Sequence, residues 1–156
     1  MPLIIRPAIA SDAQAIGSLA LQFAGYLREL GDLTDFKLTA NAFLRDGFGA
    51  KPAFAGLVAE NHDKVIGYLL YHFGYDSDSA ALNMHVVDLY VDRAERNHGV
   101  GKTLMASAAS IAREANAAEM IWSVYQTNTI AATFYEKLGA QRITDVFFMK
   151  LSADKI

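Results

Sequence analysis

One short stretch of the chain has the residue types of an anion-binding loop. Residues 96–105 read RNHGVGKTLM, which combines two glycines, two cations and the start of a helical pattern. Glycine lets a phosphate approach the backbone closely, and the first N–H groups of a helix favour a negative charge. The stretch therefore predicts a site for a phosphate-bearing ligand, with positive charge from Arg96 and Lys102. A tight strand-to-helix turn that binds nothing is the alternative.

Two common glycine loops are excluded by spacing. A Walker A loop needs a glycine five positions before Gly101, where the sequence has Arg96. A dinucleotide-binding fingerprint needs a third glycine three positions after Gly101, where the sequence has Leu104. Neither a P-loop nor a Rossmann nucleotide site is therefore predicted.

The elements that position this loop follow from hydrophobic periodicity. Alternating, β-branched and aromatic runs predict strands over residues 3–6, 54–60, 64–76, 82–91, 119–125 and 143–151. Apolar positions at helical spacing predict helices over residues 11–30, 39–45, 99–115 and 129–138. Adjacency in sequence favours an antiparallel meander of the three strands between residues 54 and 91. The expected fold is α+β, in a single domain over residues 1–156.

Composition bounds the function. The chain has 156 residues, 53% of them hydrophobic, and a net charge of −3, so we expect a sizeable core and no broad basic face for nucleic acid. It has no cysteine, which excludes disulfides, thiolate zinc sites and a cysteine nucleophile. No signal peptide or run of 18 apolar residues is present, so a cytoplasmic protein without a membrane partner is expected. No metal is predicted, because metal-ligand spacing is missing at His62, His72 and His98.

Two separated motifs resemble those of one enzyme family. The spacing R-x-x-G-x-G at Arg96, Gly99 and Gly101 resembles the acyl-CoA loop of the GCN5-related N-acetyltransferase (GNAT) superfamily. Residues 122–140, WSVYQTNTIAATFYEKLGA, resemble the second CoA segment of the same family. LRDGFG, LVAE and YHFGYD look like the diamine (spermidine/spermine) N-acetyltransferase branch. The resemblance covers nearly the whole chain and implies a mixed, mostly antiparallel sheet flanked by helices, in which two splayed parallel strands form the CoA cleft.

The resemblance implies acetyl-CoA as co-substrate and assigns residues to it. Backbone groups of Leu89, Tyr90 and Val91 would pair with the pantetheine arm as an added strand would. The loop implied to hold the pyrophosphate consists of Arg96, Asn97, His98, Gly99, Val100, Gly101 and Lys102. The other wall would be formed by Asn128, Ala131, Phe134 and Tyr135. Asn128 is also a plain helix cap by its position, and the two roles are compatible.

The resemblance also suggests the catalytic groups. Tyr135 would protonate the departing thiolate, because a phenol with a pKa of about 10 carries its proton at neutral pH. The diamine branch has Leu-Glu-Asp before the end of its central strand, where this chain has Val86, Val87 and Asp88. Since valine cannot accept a proton, Asp88 or His85 is the alternative base. By strict alternation His85 would share a face with Val87, and an ordinary strand histidine is the alternative.

The implied activity is acetyl transfer to a primary amine of a small molecule, diamine- or polyamine-like or amino-acid-like. Direct transfer in a ternary complex is expected, because no cysteine is present to carry the acetyl group. Glu29, Asp32 and Asp35 would draw a polyamine, or are simply surface acids. A protein or peptide N-acetyltransferase and a CoA-binding sensor domain are the competing functions. A homodimer is expected, in which the last predicted strand adds to a neighbouring sheet edge.

Overall fold

A computed structural model describes residues 2–156 of the chain. It comprises two compact units, Met1–Tyr125 and Gln126–Ile156. The strands of the first unit are β1 (Ile4–Pro7), β2 (Ala55–Asn61), β3 (Lys64–Asp76), β4 (Ala81–Val91) and β5 (Glu119–Ile121). Its α-helices are α1 (Ala13–Glu29), α2 (Ala40–Gly47) and α3 (Val100–Glu114), and the second unit contains α4 (Thr129–Lys137). Over residues 2–156, none of the helices has the length and apolar character needed to cross a membrane. The single N-acetyltransferase domain expected over residues 1–156 stays a prediction.

The sheet of the first unit is mixed, and its strand order β1-β2-β3-β4-β5 follows the chain. Antiparallel pairing joins β1 through β4, which confirms the predicted meander. The last pair is parallel and short, running from Asn83 opposite Glu119 to His85 opposite Ile121. Because β4 continues to Val91 while this pairing stops at His85, the two parallel strands separate. The predicted mixed sheet with two splayed parallel strands is thereby confirmed.

Helices cover both faces of the sheet. On one face α1 and α2 pack on the central strands, in a buried cluster that consists of Ala13, Ile16, Leu19, Phe43, Val58, Tyr68, Leu70 and Tyr90. On the other face α3 lies close to β3, since a Cβ added at Gly67 would approach Leu104 Cδ1 to 3.4 Å. Each large apolar side chain buried in this way contributes about 1.5–3 kcal/mol to folding. These layers fix β4, the strand that carries the predicted base.

An ion-pair network joins the first two strands to the start of α1. The guanidinium of Arg6 donates to both carboxylate oxygens of Asp12, at 2.8 and 2.9 Å, and to Glu60 Oε2 at 2.7 Å. Burial alone would raise the pKa of Asp12. Hydrogen bonds from Arg6 and from the Ile9 N–H outweigh that effect, so the pKa lies below its ordinary value. The network holds α1 in register with the sheet.

Two strand predictions need correction. The strand expected over residues 119–125 ends at Ile121, because its ladder with β4 ends there. The strand expected over residues 143–151 is wrong: this segment joins no sheet within residues 2–156. Its β-branched and aromatic residues signal a surface that suits a strand, but a strand also needs a hydrogen-bonding neighbour. The segment remains largely exposed, with Phe147 at 83% and Phe148 at 89%.

Candidate active site

The loop between β4 and α3 has the backbone of an anion site. Gly99 caps α3 with a φ of +80°, and Asn97 also has a positive φ of +66°. Helical bonding begins with the Thr103 N–H donating to the Gly99 carbonyl at 3.0 Å. No side chain within residues 2–156 caps the N–H groups of the first turn, so they are available to a ligand. A Cβ added at Gly99 would meet nothing within 4 Å, which leaves open space for an oxyanion.

Arg96 is engaged at the start of this loop. Its guanidinium carbon lies 4.9 Å from the ring centroid of Tyr26 and 5.0 Å from that of Tyr90. Its Nε donates to the Val91 carbonyl at 3.1 Å. These contacts hold the loop against α1 and β4, and they are typical of the cation–π packing of arginine. Lys102, exposed in the first turn of α3, is then the cation with a free approach to the mouth of the loop.

The end of β4 presents a backbone edge beside this loop. Leu89, Tyr90 and Val91 pair with β3 on one side. On the other side no strand within residues 2–156 pairs with β4 beyond His85. The side chain of Tyr90 is buried in the core and stacks on Phe23 at 5.1 Å. An extended ligand at this edge would therefore meet main-chain groups, as the resemblance implies for the pantetheine arm.

A β-bulge interrupts β4 at Val87, the position where the diamine branch has its glutamate. Leu70 of β3 pairs with Asp88, and the next residue, Tyr71, pairs with Val86. Val87 is left without a partner in the register, so it is the extra residue of the bulge. Bulges bend a strand, disrupt the local ladder and occur often next to active sites. Strict alternation therefore does not hold across residues 86–88.

The bulge brings His85 and Asp88 to the same face of the sheet. His85 pairs with His72, and Asp88 pairs with Leu70. Paired residues of adjacent strands share a face, as do residues two apart on an uninterrupted strand. All four side chains consequently lie on the face covered by α1 and α2. The expectation that His85 shares a face with Val87 stays a prediction, because Val87 has no partner in the register.

Asp88 has the electrostatics of a base. Burial raises the pKa of its carboxyl from the ordinary value to about 6, since desolvation disfavours the charged form. At neutral pH it is still mostly ionised, yet it holds a proton more tightly than an exposed aspartate does. His85 is different: burial and then the charge of neighbouring His72 lower its pKa, and the two imidazole rings lie 4.9 Å apart. Burial therefore moves the pKa of Asp88 towards neutral pH and makes it a stronger proton acceptor than an exposed aspartate, whereas it makes His85 a weaker acceptor than an exposed histidine.

The second unit contains the remaining predicted residues. Asn128 caps α4, its side-chain oxygen accepting from the Ala131 N–H at 3.1 Å. Phe134 and Tyr135 follow on the same helix, with ring centroids 5.0 Å apart. The helix ends before Gly139, whose φ is +97°. The predicted cap at Asn128 is confirmed, and the catalytic role of Tyr135 stays a prediction.

One polar group of this region was not singled out from the sequence. The hydroxyl of Tyr68 is buried and has no hydrogen-bond partner within residues 2–156. The negative charge of Asp88 contributes to raising the pKa of this phenol, which indicates that the two groups are close. In the sequence Tyr68 is one of several aromatic residues in a strand pattern. Only the register, shifted by the bulge, brings it beside Asp88.

The chain is similar to known proteins over most of its length. The acetyltransferase (GNAT) family model matches residues 20–140. The thialysine N-epsilon-acetyltransferase of Bos taurus is 31% identical over 151 residues, covering 92% of this chain and 86% of its own length. A spermidine/spermine N(1)-acetyltransferase-like protein of Homo sapiens is 31% identical over 143 residues, 87% of this chain and 20% of that protein. An integron cassette protein of V. cholerae superposes with a TM-score of 0.84 at 22% identity, over 99% of this chain and 95% of its own. The chain belongs to the GNAT acetyltransferase family and is an acyltransferase.

Proposed function

We propose that this protein transfers the acetyl group of acetyl-CoA to a primary amine of a small molecule. The observation that carries the proposal is the uncapped first turn of α3, which opens next to the unpaired edge of β4. Orphan N–H groups favour a diphosphate, and the strand edge offers the main-chain partners that an extended pantetheine arm needs. Asp88, on the same strand, supplies a base of raised pKa. The cytoplasmic location of the protein is also part of the proposal.

In the proposed reaction the amine nitrogen attacks the thioester carbonyl carbon directly. The bound ammonium first loses one proton through Asp88 to solvent, which gives the neutral nitrogen that attacks. As the N–C bond forms, the nitrogen becomes acidic and gives its second proton to Asp88, which releases it to solvent. The C–S bond then breaks, and the departing thiolate takes a proton from Tyr135, which recovers one from solvent. An alkylammonium with a pKa of about 10.4 is mostly protonated at pH 7, so a base near pKa 6 is more effective than an exposed aspartate.

The acceptor we propose is an amine at the end of an aliphatic chain. Relatives of this chain are named for thialysine and for spermidine and spermine. The acidic segment after α1 is partly committed to contacts of its own. Asp32 accepts a hydrogen bond from the Tyr125 hydroxyl at 2.6 Å, and Glu29 lies 3.5 Å from Arg93. These contacts leave less negative charge for a polycation, so we expect an amino acid with a side-chain amine to be acetylated faster than spermidine.

A thiol-release assay tests the activity. We expect native protein with acetyl-CoA to turn over lysine-like amines, and Tyr135→Phe to lower kcat about 10²-fold with little change in KM, since general acid catalysis supplies only part of the rate. Tyr75→Phe is the matched control, since it removes the same atom from an exposed tyrosine near the end of β3. Acetyl-CoA binding by calorimetry without turnover of any amine would favour the sensor domain. Turnover of peptides alone would favour a protein N-acetyltransferase.

We further propose a homodimer built through the exposed segment of residues 143–151. Phe147, Phe148 and Met149 are each more than 80% exposed. Such a run of apolar side chains marks an interaction surface. β5 lies at the edge of the sheet and offers unpaired main-chain groups to an incoming strand. The same chain thus carries both a segment with strand propensity and a sheet edge to which a strand could add, so two copies could pair reciprocally.

Light scattering after size exclusion tests the dimer. We expect the native protein to have the mass of two chains, and Phe148→Asp to have the mass of one, because a carboxylate in an apolar interface is costly to desolvate. Leu33→Asp is the matched control, since Leu33 is 89% exposed but isolated in the segment between α1 and α2. A native protein that is monomeric at all accessible concentrations would show that residues 143–151 do not pair with a second copy.

A further inference from the structure

A buried hydroxyl without a partner stands out in the core of the first unit. Tyr68 is 0% exposed, and its Oη makes no hydrogen bond within residues 2–156. Leaving such a group unpaired costs roughly 1–3 kcal/mol, and a phenylalanine would fill nearly the same volume without that cost. Buried polar groups are almost always paired, often with an ordered water. We therefore expect the hydroxyl of Tyr68 to form a hydrogen bond with an ordered water.

The sheet register places this hydroxyl beside Asp88. Tyr68 pairs with Tyr90, and Leu70 pairs with Asp88. Tyr68 and Leu70 are two apart on β3, so Tyr68 and Asp88 are diagonal neighbours on the face under α1 and α2. Diagonal positions are about 7–8 Å apart, within reach of a tyrosine side chain. Burial raises the pKa of Tyr68 well above its ordinary value, and the charge of Asp88 adds to the shift.

We propose that Tyr68 is a positioning residue: its hydroxyl holds the Asp88 carboxylate, through one ordered water, in the orientation that accepts the amine proton. The phenol donates to the water, and the water donates to the carboxylate. Tyr68 keeps its proton throughout, so this chain of hydrogen bonds transfers no proton. The inference rests on the proposed role of Asp88 as base and adds the group that orients it.

Other ionisable groups lie near Asp88 on this face. Burial raises the pKa of Asp88, and none of these groups compensates its charge strongly. The α2 residues Arg45 and Asp46 pair with each other at 2.7 Å on the surface. The titratable groups on the face of Asp88 are Tyr68 and His72 of β3 and His85 and Tyr90 of β4. Arg96 lies over the rings of Tyr90 and of Tyr26 from α1. Of these, Tyr68 combines full burial with an unpaired donor.

The test compares Tyr68→Phe with Tyr71→Phe, which removes the same atom from the opposite face of β3. Removing a donor to the carboxylate raises the pKa of Asp88. We expect the acid limb of kcat/KM to move up by about 0.5–1 pH unit in Tyr68→Phe and to stay in place in Tyr71→Phe. Carbon-13 NMR of the Asp88 carboxyl in the free protein should show the same shift without any turnover.

Superimposable pH profiles and an unchanged Asp88 titration in Tyr68→Phe would overturn the inference. The NMR titration separates it from the proposed function: a shifted Asp88 pKa with an unmoved acid limb would keep the link between the two residues and reject Asp88 as base. Loss of activity with no pKa shift would reject the link. If the phenylalanine variant does not fold, Tyr68→Met, which also removes the hydroxyl, is titrated in its place.

Discussion

Asp88→Asn should lower kcat/KM for the amine about 10³-fold at pH 7.5 while acetyl-CoA still binds. The amide keeps the shape of the carboxylate but cannot accept a proton, and general base catalysis typically contributes 10²–10⁴-fold. Native kcat/KM should fall below about pH 6, as the raised pKa of Asp88 requires, and the variant should lack that limb. Steady-state kinetics between pH 5 and pH 9 measure both.

His85→Gln is the matched variant on the same strand. His85 lies on the face of Asp88, but its lowered pKa makes it a weaker acceptor than an ordinary histidine. With Asp88 as the base, we expect a loss of less than tenfold and an unchanged acid limb. If instead Asp88→Asn retains the acid limb and His85→Gln loses it, His85 is the base. Full activity in both variants would leave the amine to lose its proton directly to solvent.

The stability of the Asp88→Asn variant shows whether its lost activity comes from the missing base or from unfolding. A carboxyl with a folded-state pKa above its unfolded value favours the native state only at low pH, and that advantage is lost as the pH rises through about 6. The charged Asp88 therefore destabilises the fold at pH 7. We expect Asp88→Asn to raise the free energy of unfolding there by about 1–2 kcal/mol, after allowance for partial exposure, and urea denaturation at pH 7 and pH 4 measures the difference.

The long periodic elements were predictable because one residue pattern determines each. The spacing of Ile16, Leu19, Ala20, Phe23, Leu27 and Leu30 predicts the buried side of α1. Phe23 and Leu30 are partly buried, and the other four are buried. The range of β3 was predicted to the residue, since a hairpin turn and a polar turn delimit it. Gly99 was predictable in kind, because a positive φ at a strand-to-helix turn favours glycine.

The site depended on features that a single sequence does not encode. A bulge adds one residue without a characteristic composition. The residue types of Val86, Val87 and Asp88 therefore do not predict that the alternation of side chains between the two faces fails there. The raised pKa of Asp88 comes from burial under α1 and α2, which is a tertiary effect. For residues 143–151 the pattern gives strand propensity but says nothing about the neighbour that would complete a ladder. The sequence therefore indicated which residues could carry out the chemistry, but not which residues they contact in the fold.

Gly99→Val should weaken acetyl-CoA binding about 10²-fold. Gly99 has a φ of +80°, and the space beside it is open. A branched side chain would occupy the space where an oxyanion approaches the first-turn N–H groups. At roughly 1.4 kcal/mol for each factor of ten, the expected loss is about 3 kcal/mol. Isothermal titration calorimetry with acetyl-CoA and with CoA measures the affinity.

Gly31→Val separates this loss from backbone strain. Gly31 follows α1 with a φ of +90° and also has open space beside it, so both substitutions carry a similar conformational penalty of about 1–2 kcal/mol. Both variants should therefore lose similar thermal stability. Gly99→Val should lose affinity for acetyl-CoA and Gly31→Val should not, because Gly99 precedes the uncapped N–H groups of the first turn of α3 and Gly31 follows the end of α1. Equal affinity in the two variants would mean that the pyrophosphate binds elsewhere, and the α3 loop would then be only a tight turn.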